Sequence, residues 1–198
     1  MQKSSVKSKP IIALIAWTIV ASAHCLLAIA QTVPAPSSDA TQVAEAACSF
    51  LQNYSKLRQR GLSGIPDQKQ LTQLERFFTP SLRGLFAAAI KEQRRCIKRF
   101  PSDKPPWIEG DIFSSSFESF DQFAIEKSSI DDDSATLVIN YTIKATSKAE
   151  KISWQDALLL KKINTQWRVD DMQYRGDFAF GSGFGVSLRQ SLQGIPAC

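Results

Sequence analysis

The sequence predicts an α+β domain in which helices cover one face of an antiparallel sheet, and three observations lead to this prediction. Apolar residues recur at helical spacing over residues 43–57 and 82–97. The period then changes to strict alternation, which is clearest over residues 135–143. Short polar turns separate the later apolar runs, so three or four consecutive strands are expected to pair as an antiparallel meander.

The first 30 residues have the form of a signal peptide. Three lysines precede an apolar run over residues 11–20, and Ala28-Ile29-Ala30 has the small-x-small pattern of a signal-peptidase site. A retained membrane anchor is the alternative, because the apolar stretch approaches the ~20 residues that a spanning helix needs. We therefore expect a periplasmic or extracellular protein that touches a membrane only if this N-terminus stays uncleaved.

Cleavage would define the domain organisation and change the charge. Three parts are predicted: a signal peptide (1–30), a flexible leader (31–40) and one domain (41–198). Removal of Lys3, Lys7 and Lys9 lowers the basic count from 24 to 21 against 19 acidic residues, so the formal charge falls from +5 to +2. That weak charge and the predicted export both argue against a nucleic-acid partner.

The mature chain has few residues suited to nucleophilic or metal chemistry. His24, the only histidine, lies in the predicted signal peptide. Cys48, Cys96 and Cys198 remain, so at most one disulfide forms within the chain. Export favours such a bond. We prefer Cys96–Cys198, because a chain end can move to meet its partner, and Cys48–Cys96 is the alternative. A catalytic thiol is disfavoured, because no histidine is left to activate it.

Three helices are expected before the sheet. The first has an apolar stripe over residues 43–57, a capping box at Asp39 and Gln42, and a stop at Gly61. Asp67 is a candidate cap for a short second helix.

The third helix is expected to begin at Thr79-Pro80 and is cationic near its end. Five basic residues crowd its last turns: Lys91, Arg94, Arg95, Lys98 and Arg99. Cations there complement the negative end of the helix dipole, so a structural explanation suffices. The functional alternative is an anion-binding patch that faces a membrane surface or an acidic partner.

Alternating apolar residues predict the strands. A short strand is expected around residues 123–125, an acidic turn at residues 131–133, and a strong strand over residues 135–143. Residues 152–163 form an apolar run long enough for a central strand, and residues 167–174 form the next strand.

Residues 104–118 are distinctive because they contain features that secondary structure does not require. The segment has a double proline, a Trp107 that we expect to be exposed, Gly110 before Asp111, and a serine run before Glu118. Such a loop is expected to hold one defined shape. Two further motifs fall on predicted strands, Trp-x-Asp at residues 154–156 and Trp-x-x-Asp-Asp-x-x-Tyr at residues 167–174.

On these motifs the chain resembles a secreted bacterial family of unknown function within the nuclear transport factor 2-like superfamily. The first part of the pattern, Gly-Asp-x-Phe-Ser-Ser, lies at residues 110–115, and the two strand motifs complete it. The resemblance covers most of residues 40–193. It implies a curved, cone-like sheet wrapped around helices, often with an enclosed pocket. It implies no particular activity, because one fold hosts many functions.

Asp111, Asp156 and Asp171 are the candidate catalytic residues. Isomerases with the fold that the resemblance implies use a pocket aspartate as general base and phenolic or acidic donors to hold an oxyanion. Tyr141 or Tyr174 would supply the phenol. No metal site and no cofactor are predicted, because nothing in the sequence fixes these carboxylates in a ligand geometry.

The structural alternative for the same carboxylates is that they hold the fold together. Asp111 would cap the amides of its own loop. Asp156 and one aspartate of the pair 170–171 would form ion pairs with Arg168, Arg175 or a cation on a helix. A catalytic carboxylate should be unpaired beside a cavity, whereas a structural one should be engaged.

The sequence favours a non-enzymatic exported domain that binds a small ligand or another envelope protein. The predicted binding residues are Trp107, Glu109, Asp111, Phe113, Glu118, Trp154, Asp156 and Tyr174. One alternative is a ketosteroid-isomerase-like enzyme or hydrolase that uses the aspartates as acid and base. The other is an immunity-type protein that neutralises a toxin.

Overall fold

A computed structural model of the chain describes residues 38–117, 120–144, 151–176 and 187–194. The fold is α+β, with helices and a four-stranded antiparallel open sheet, as the sequence predicts. The helices are α1 (Ser38–Gln59), α2 (Gln68–Leu74), α3 (Pro80–Arg99) and α4 (Leu188–Gln193). The strands are β1 (Gln122–Asp131), β2 (Ser134–Ile143), β3 (Ile152–Ile163) and β4 (Gln166–Tyr174), paired in that order. Within these ranges, no helix combines the length and the apolar character needed to cross a membrane.

Capping side chains define the starts of α2 and α3. Asp67 accepts from the Gln70 amide at 2.8 Å, and the Gln70 side chain completes a capping box. Thr79 accepts from the Leu82 amide at 3.2 Å, and Pro80 occupies the first turn of α3, where its missing N–H is harmless. Both predicted starts are confirmed.

The start of α1 differs from the prediction. The helix begins at Ser38, so the last residues of the predicted leader are helical. Asp39 therefore lies within the first turn, and the predicted capping box with Gln42 is wrong. The Asp39 carboxylate instead pairs with Lys162 of β3 at 2.8 Å, which ties this end of α1 to the sheet.

The register between β2 and β3 places one set of side chains in the core. Tyr141 pairs with Trp154, and Ile139 pairs with Asp156. All four side chains are buried. As its long apolar run predicts, β3 lies inside the sheet, between β2 and β4. The helices pack onto the sheet through α1, which contacts β1 and β4, and through α3 and α4, which both contact β4.

Two bulges interrupt the alternation of side chains along the strands. One lies between Ile125 and Lys127, within a β1 that is longer than the predicted short strand. The other lies opposite Leu159 and Leu160, where β4 carries Asp170 as the extra residue. The bulge interrupts the alternation of side chains between the two faces of the sheet, so the consecutive residues Val169 and Asp170 are both buried.

Aromatic rings fill the space between the helices and the sheet. The Phe113 ring lies among four others, with centroid distances of 5.0 Å to Tyr54, 5.7 Å to Phe50 and Phe86, and 5.9 Å to Phe78. These are ordinary spacings for packed aromatic pairs. All five side chains are at most 1% exposed. In the described part of the chain, side chains therefore occupy the centre of the cone that the family resemblance implies.

The turn after α1 lies directly against the segment that follows α3. Gly64 N–H donates to Gly110 O, and Ile65 N–H donates to Trp107 O, both at 2.8 Å. Gly64 has φ of +63°, and a Cβ at this position would lie 1.9 Å from Trp107 O. Only glycine permits this approach.

We expect Gly64→Ala to destabilise the fold by about 4 kcal/mol or more, because the new methyl group would displace the Trp107 carbonyl. Gly61→Ala is the matched control. Gly61 also has positive φ, +91°, but a Cβ there meets nothing within 4 Å, so only the backbone penalty of about 1–2 kcal/mol applies. Urea unfolding of the two variants checks the difference. Equal losses of stability would show that the close approach is unimportant.

Candidate functional site

The residues predicted to bind a ligand meet around residues 106–116, which we call the buried loop. The loop connects α3 to β1, and most of its side chains are buried. Six of the predicted residues lie in the loop or bond to it from β3 and β4: Trp107, Asp111, Phe113, Trp154, Asp156 and Tyr174. What they share is a hydrogen-bond network that holds the loop against the sheet and α1.

Glu109 differs from these six. Its side chain is exposed and pairs with Lys104 at 2.6 Å. An exposed pair of this kind contributes little to stability. Glu118, the remaining predicted binding residue, lies outside the described residues.

Trp107 is not the exposed residue that the sequence led us to expect. Its side chain is 5% exposed, and its φ of +51° is in the left-handed region that bulky residues avoid. Trp107 O accepts from the Ile65 amide, and the Gln93 side chain donates to Pro106 O at 2.6 Å. These bonds hold the strained backbone in place, and Trp107 belongs to the core.

Asp111 caps the amides of its own loop, as the structural alternative predicts. Its Oδ1 accepts from the Phe113 amide at 2.8 Å. Its Oδ2 accepts from the hydroxyl of Tyr54 and lies 3.5 Å from Nε of Arg58, both on α1. Arg58 is fixed in turn by donating to Leu62 O at 2.6 Å. Both oxygens of a carboxylate that is 1% exposed are thus engaged.

Asp156 joins the buried loop to the end of β4. Its Oδ2 accepts from the Ser115 amide at 2.8 Å, and its Oδ1 accepts from the Arg175 amide at 2.9 Å. The expected pairing with a cationic side chain is wrong, because the Arg175 guanidinium donates to Gln173 instead. Two main-chain amides take the place of the predicted cation.

Three further bonds hold the serine run and its neighbours. The Trp154 indole donates to Ser114 Oγ at 3.0 Å, and the Tyr174 hydroxyl donates to Ile112 O at 2.6 Å. Gly176 N–H donates to Ser115 Oγ at 3.1 Å. A buried loop needs such partners, because an unsatisfied main-chain polar group in the interior is costly.

Asp170 and Asp171 lie where β4 meets α3 and α4. Asp170 accepts from the Thr79 hydroxyl at 2.7 Å and pairs with Lys161 and Arg189 at 3.3 and 3.2 Å. Asp171 accepts from the amides of Met172 and Arg189. The predicted pairing of one of these aspartates with a cation on a helix is confirmed for Asp170 by Arg189 of α4, and Lys161 of β3 is a partner that was not predicted. Asp171 is engaged by main-chain amides.

Burial dominates the electrostatics of the network. It raises the pKa of the Asp111 carboxyl well above its usual value; the nearby charge of Asp156 raises the pKa further, and the Phe113 amide lowers it. Burial also raises the pKa of the Tyr141 and Tyr174 phenols, so both hydroxyls are protonated at neutral pH.

A buried aspartate near phenols is the combination that isomerase-like catalysis requires, but here it is closed to solvent. Asp111, Asp156, Tyr54 and Tyr141 are each at most 1% exposed. A substrate could reach these groups only if the buried loop moved away. Among the described residues, the hydroxyl of Tyr141 has no hydrogen-bond partner. The geometry is thus that of a structural network with one unsatisfied hydroxyl.

The described ranges contain no group of three or more His, Cys, Asp or Glu side chains arranged to hold a metal ion. Cys48 is partly buried on α1, Cys96 is buried on α3, and no described cysteine is a free thiol. Cys198 lies outside the described residues. The Cys96–Cys198 disulfide and its Cys48–Cys96 alternative both stay predictions.

An accessible concave surface lies between α2 and α3, with a volume of about 580 Å³. We call it the α2–α3 groove. Its lining combines apolar residues (Leu71, Ala87 and Ile90) with exposed cations (Arg83, Lys91 and Arg94), and Glu75 adds a carboxylate. Lys91 and Arg94 belong to the cationic patch predicted from the sequence, whereas Arg83 does not. The helical spacing of residues 83, 87, 91 and 94 is the signal that would have found it.

Gly84 also lines the groove and has no structural need to be glycine. A Cβ at this position would meet no atom within 4 Å, and its φ is not positive. Glycine in a helix interior costs about 1 kcal/mol relative to alanine. Its effect on the molecule is to deepen the groove at the middle of α3.

No protein-family model matches the chain, and no curated protein matches it. Two solved structures align with it. One is a SEC-C motif containing protein from Rhodopseudomonas palustris, with 13% identity, a TM-score of 0.34, and coverage of 70% of this chain and 79% of that chain. The other is an NTF-2 like protein of unknown function from Shewanella oneidensis MR-1, with 16% identity, a TM-score of 0.32, and coverage of 63% and 92%. Likenesses this distant carry no argument about activity, and the secreted family stays a prediction.

We expect Tyr54→Phe and Tyr141→Phe to have different effects on stability. Tyr54→Phe removes a buried donor to Asp111 and should cost about 1–3 kcal/mol. Tyr141→Phe removes a hydroxyl that has no partner among the described residues, so it should be neutral or stabilise the fold by up to about 1 kcal/mol. Urea unfolding measures both variants. A similar loss for the two would contradict the assigned network.

We expect Asp111 to make the fold less stable as pH rises. The pKa of its carboxyl is higher in the folded chain than in the unfolded chain, so the folded state binds more protons. The contribution of the protonated Asp111 carboxyl to stability is fully present at pH values below its pKa in the unfolded chain. That contribution is lost as the pH rises through its pKa in the folded chain. Asp111→Asn cannot titrate, so its stability relative to wild type should improve between about pH 4 and pH 8. Unfolding at both pH values tests this, with the surface variant Glu109→Gln as control. If the difference in unfolding free energy between Asp111→Asn and wild type were the same at both pH values, a raised pKa of Asp111 would be excluded.

Proposed function

We propose that this chain is an exported, non-enzymatic binding domain of the nuclear transport factor 2-like type that recognises another envelope protein through the α2–α3 groove. One observation carries the proposal. Of the candidate catalytic carboxylates, Asp111 and Asp156 are buried and Asp171 is partly buried, and all three are engaged by amides or hydroxyls, whereas the groove presents exposed side chains on a concave surface.

The state of the carboxylates argues against the enzymatic alternative. A general base has to reach its substrate within hydrogen-bond distance. Asp111 and Asp156 are 1% and 0% exposed, and each already accepts bonds on both oxygens. Their substitution should unfold the buried loop before it affects any chemistry.

The filled interior argues against the small-ligand version of the proposal. A small-molecule site encloses most of its ligand in a preformed cavity. The Phe113 ring and its four aromatic neighbours occupy the interior, where such a cavity would lie. An open groove on the helices fits a segment of a macromolecule better.

Site-specific photo-cross-linking in the native host tests the proposal. A benzoylphenylalanine is placed at Ala87 in the groove, or at Ser129 on β1 as the exposed control. We expect a discrete cross-linked envelope protein from the Ala87 variant and none of the same mass from the Ser129 variant. The intact mass of the recovered chain reports in the same experiment whether the first 30 residues are removed. Identical patterns at both positions, or no product from Ala87, would overturn the proposed surface.

A further inference from the structure

The positive charge of the chain is concentrated on α3. Residues 80–99 contain six basic residues and one acidic residue. Residues 31–79 and 100–198 together contain 15 basic and 18 acidic residues, a formal charge of −3. The helix is therefore a cationic face on an otherwise acidic body, and this asymmetry survives removal of the predicted signal peptide.

The cations of the groove form no ion pair with the described part of the chain. Among the described residues, Arg83, Lys91 and Arg94 have no carboxylate within 4.0 Å, whereas Arg95 on the same helix pairs with Glu92. Lys91 and Arg94 are three residues apart, a spacing at which like charges on a helix repel. These exposed charges are available to pair with anions from outside the described part of the chain.

The dimensions of the cationic row indicate the size of those anions. Arg83 and Arg94 are 11 residues apart, which is about 16 Å along a helix. One phosphate or one small carboxylate cannot reach both. The apolar floor, which includes the buried Leu71 and Ile90, lies along the same row and would contact apolar groups of the occupant.

We infer that the α2–α3 groove binds an acidic polypeptide segment that also carries apolar side chains, with its carboxylates on Arg83, Lys91 and Arg94 and its apolar groups on the floor. This inference rests on the proposed function and specifies the partner. A flat anionic membrane would touch the rim but not a recessed floor. A single-stranded nucleic acid binds on aromatic side chains, and none lines the groove.

Fluorescence anisotropy with synthetic peptides tests the inference on the folded chain. The probe is a labelled peptide of about 12 residues, about 18 Å as a helix, with Glu and Leu at helical spacing. Three comparison probes separate the contributions: Lys in place of Glu, Ser in place of Leu, and an oligothymidylate of similar length. Phosphatidylglycerol vesicles are tested by co-sedimentation.

Two triple variants provide the matched comparison. Arg83→Gln, Lys91→Gln and Arg94→Gln neutralise the groove, and Lys127→Gln, Lys144→Gln and Lys151→Gln remove the same charge from exposed positions around the sheet. We expect the Glu/Leu peptide to bind wild type and the sheet variant with similar affinity. The groove variant should bind about tenfold more weakly, equivalent to about 1.4 kcal/mol. Both variants change only exposed side chains, and thermal unfolding verifies that each is folded.

The other outcomes distinguish this inference from the proposed function. Equal binding of the Glu and Lys peptides, equal loss in both triple variants, or preference for vesicles or oligothymidylate would overturn the inference. If the acidic peptide fails to bind while the Ala87 cross-link is still formed, the groove binds a protein of different chemistry and only the inference fails. If neither is observed, both fail.

Discussion

The structure depends on the satisfaction of main-chain polar groups in a loop that lies inside the protein. A connecting segment normally runs over the surface, where water bonds to its amides. The buried loop instead enters between α1 and the sheet, so its amides and carbonyls need internal partners. Asp111, Asp156 and Tyr174 supply them. Because the loop lies inside the protein, the Phe113 ring reaches the centre of the aromatic core. Packing of the core and satisfaction of the loop are therefore inseparable.

This requirement explains why the most conspicuous polar residues are poor candidates for chemistry. A carboxylate that holds two amides cannot also move a proton to a substrate without releasing them. The residues available for recognition belong to no conspicuous sequence motif. They are Arg83, Lys91 and Arg94 on one face of α3, with Gly84 between the first two. The exposed cations of the groove thus lie apart from the buried network, although the apolar floor of the groove is part of the same core.

Local signals predicted much of the fold and less of the site. Alternation identified β2, a long apolar run identified β3, the turn after that run marked the start of β4, and Asp67 and Thr79 marked the starts of α2 and α3. The short α4 was not foreseen, although Ser187 caps it, because six residues carry too little periodicity. The prediction foresaw a helix-borne cation for one aspartate of the pair 170–171 but could not name Arg189, because α4 was not predicted and the bulge in β4 breaks the alternation. The burial of Trp107 depends on Gly64, more than 40 positions away, and no local pattern records that contact.

The buried loop also bears on the order in which the chain can fold. Its partners are distant in sequence: Ser115 and Asp156 are 41 residues apart, Tyr54 and Asp111 are 57 apart, and Ile112 and Tyr174 are 62 apart. Contacts of such separation carry a loop-closure entropy. The bonds to Asp156 and Tyr174 form only once β3 and β4 are in place, whereas the bond between Tyr54 and Asp111 needs only α1 and the loop. The loop should therefore dock late, after the folding transition state. Interactions absent from that state govern how fast a protein unfolds. The network around Asp111 and Asp156 would then affect the unfolding rate more than the folding rate. A slow unfolding rate matters most where proteins are not replaced quickly.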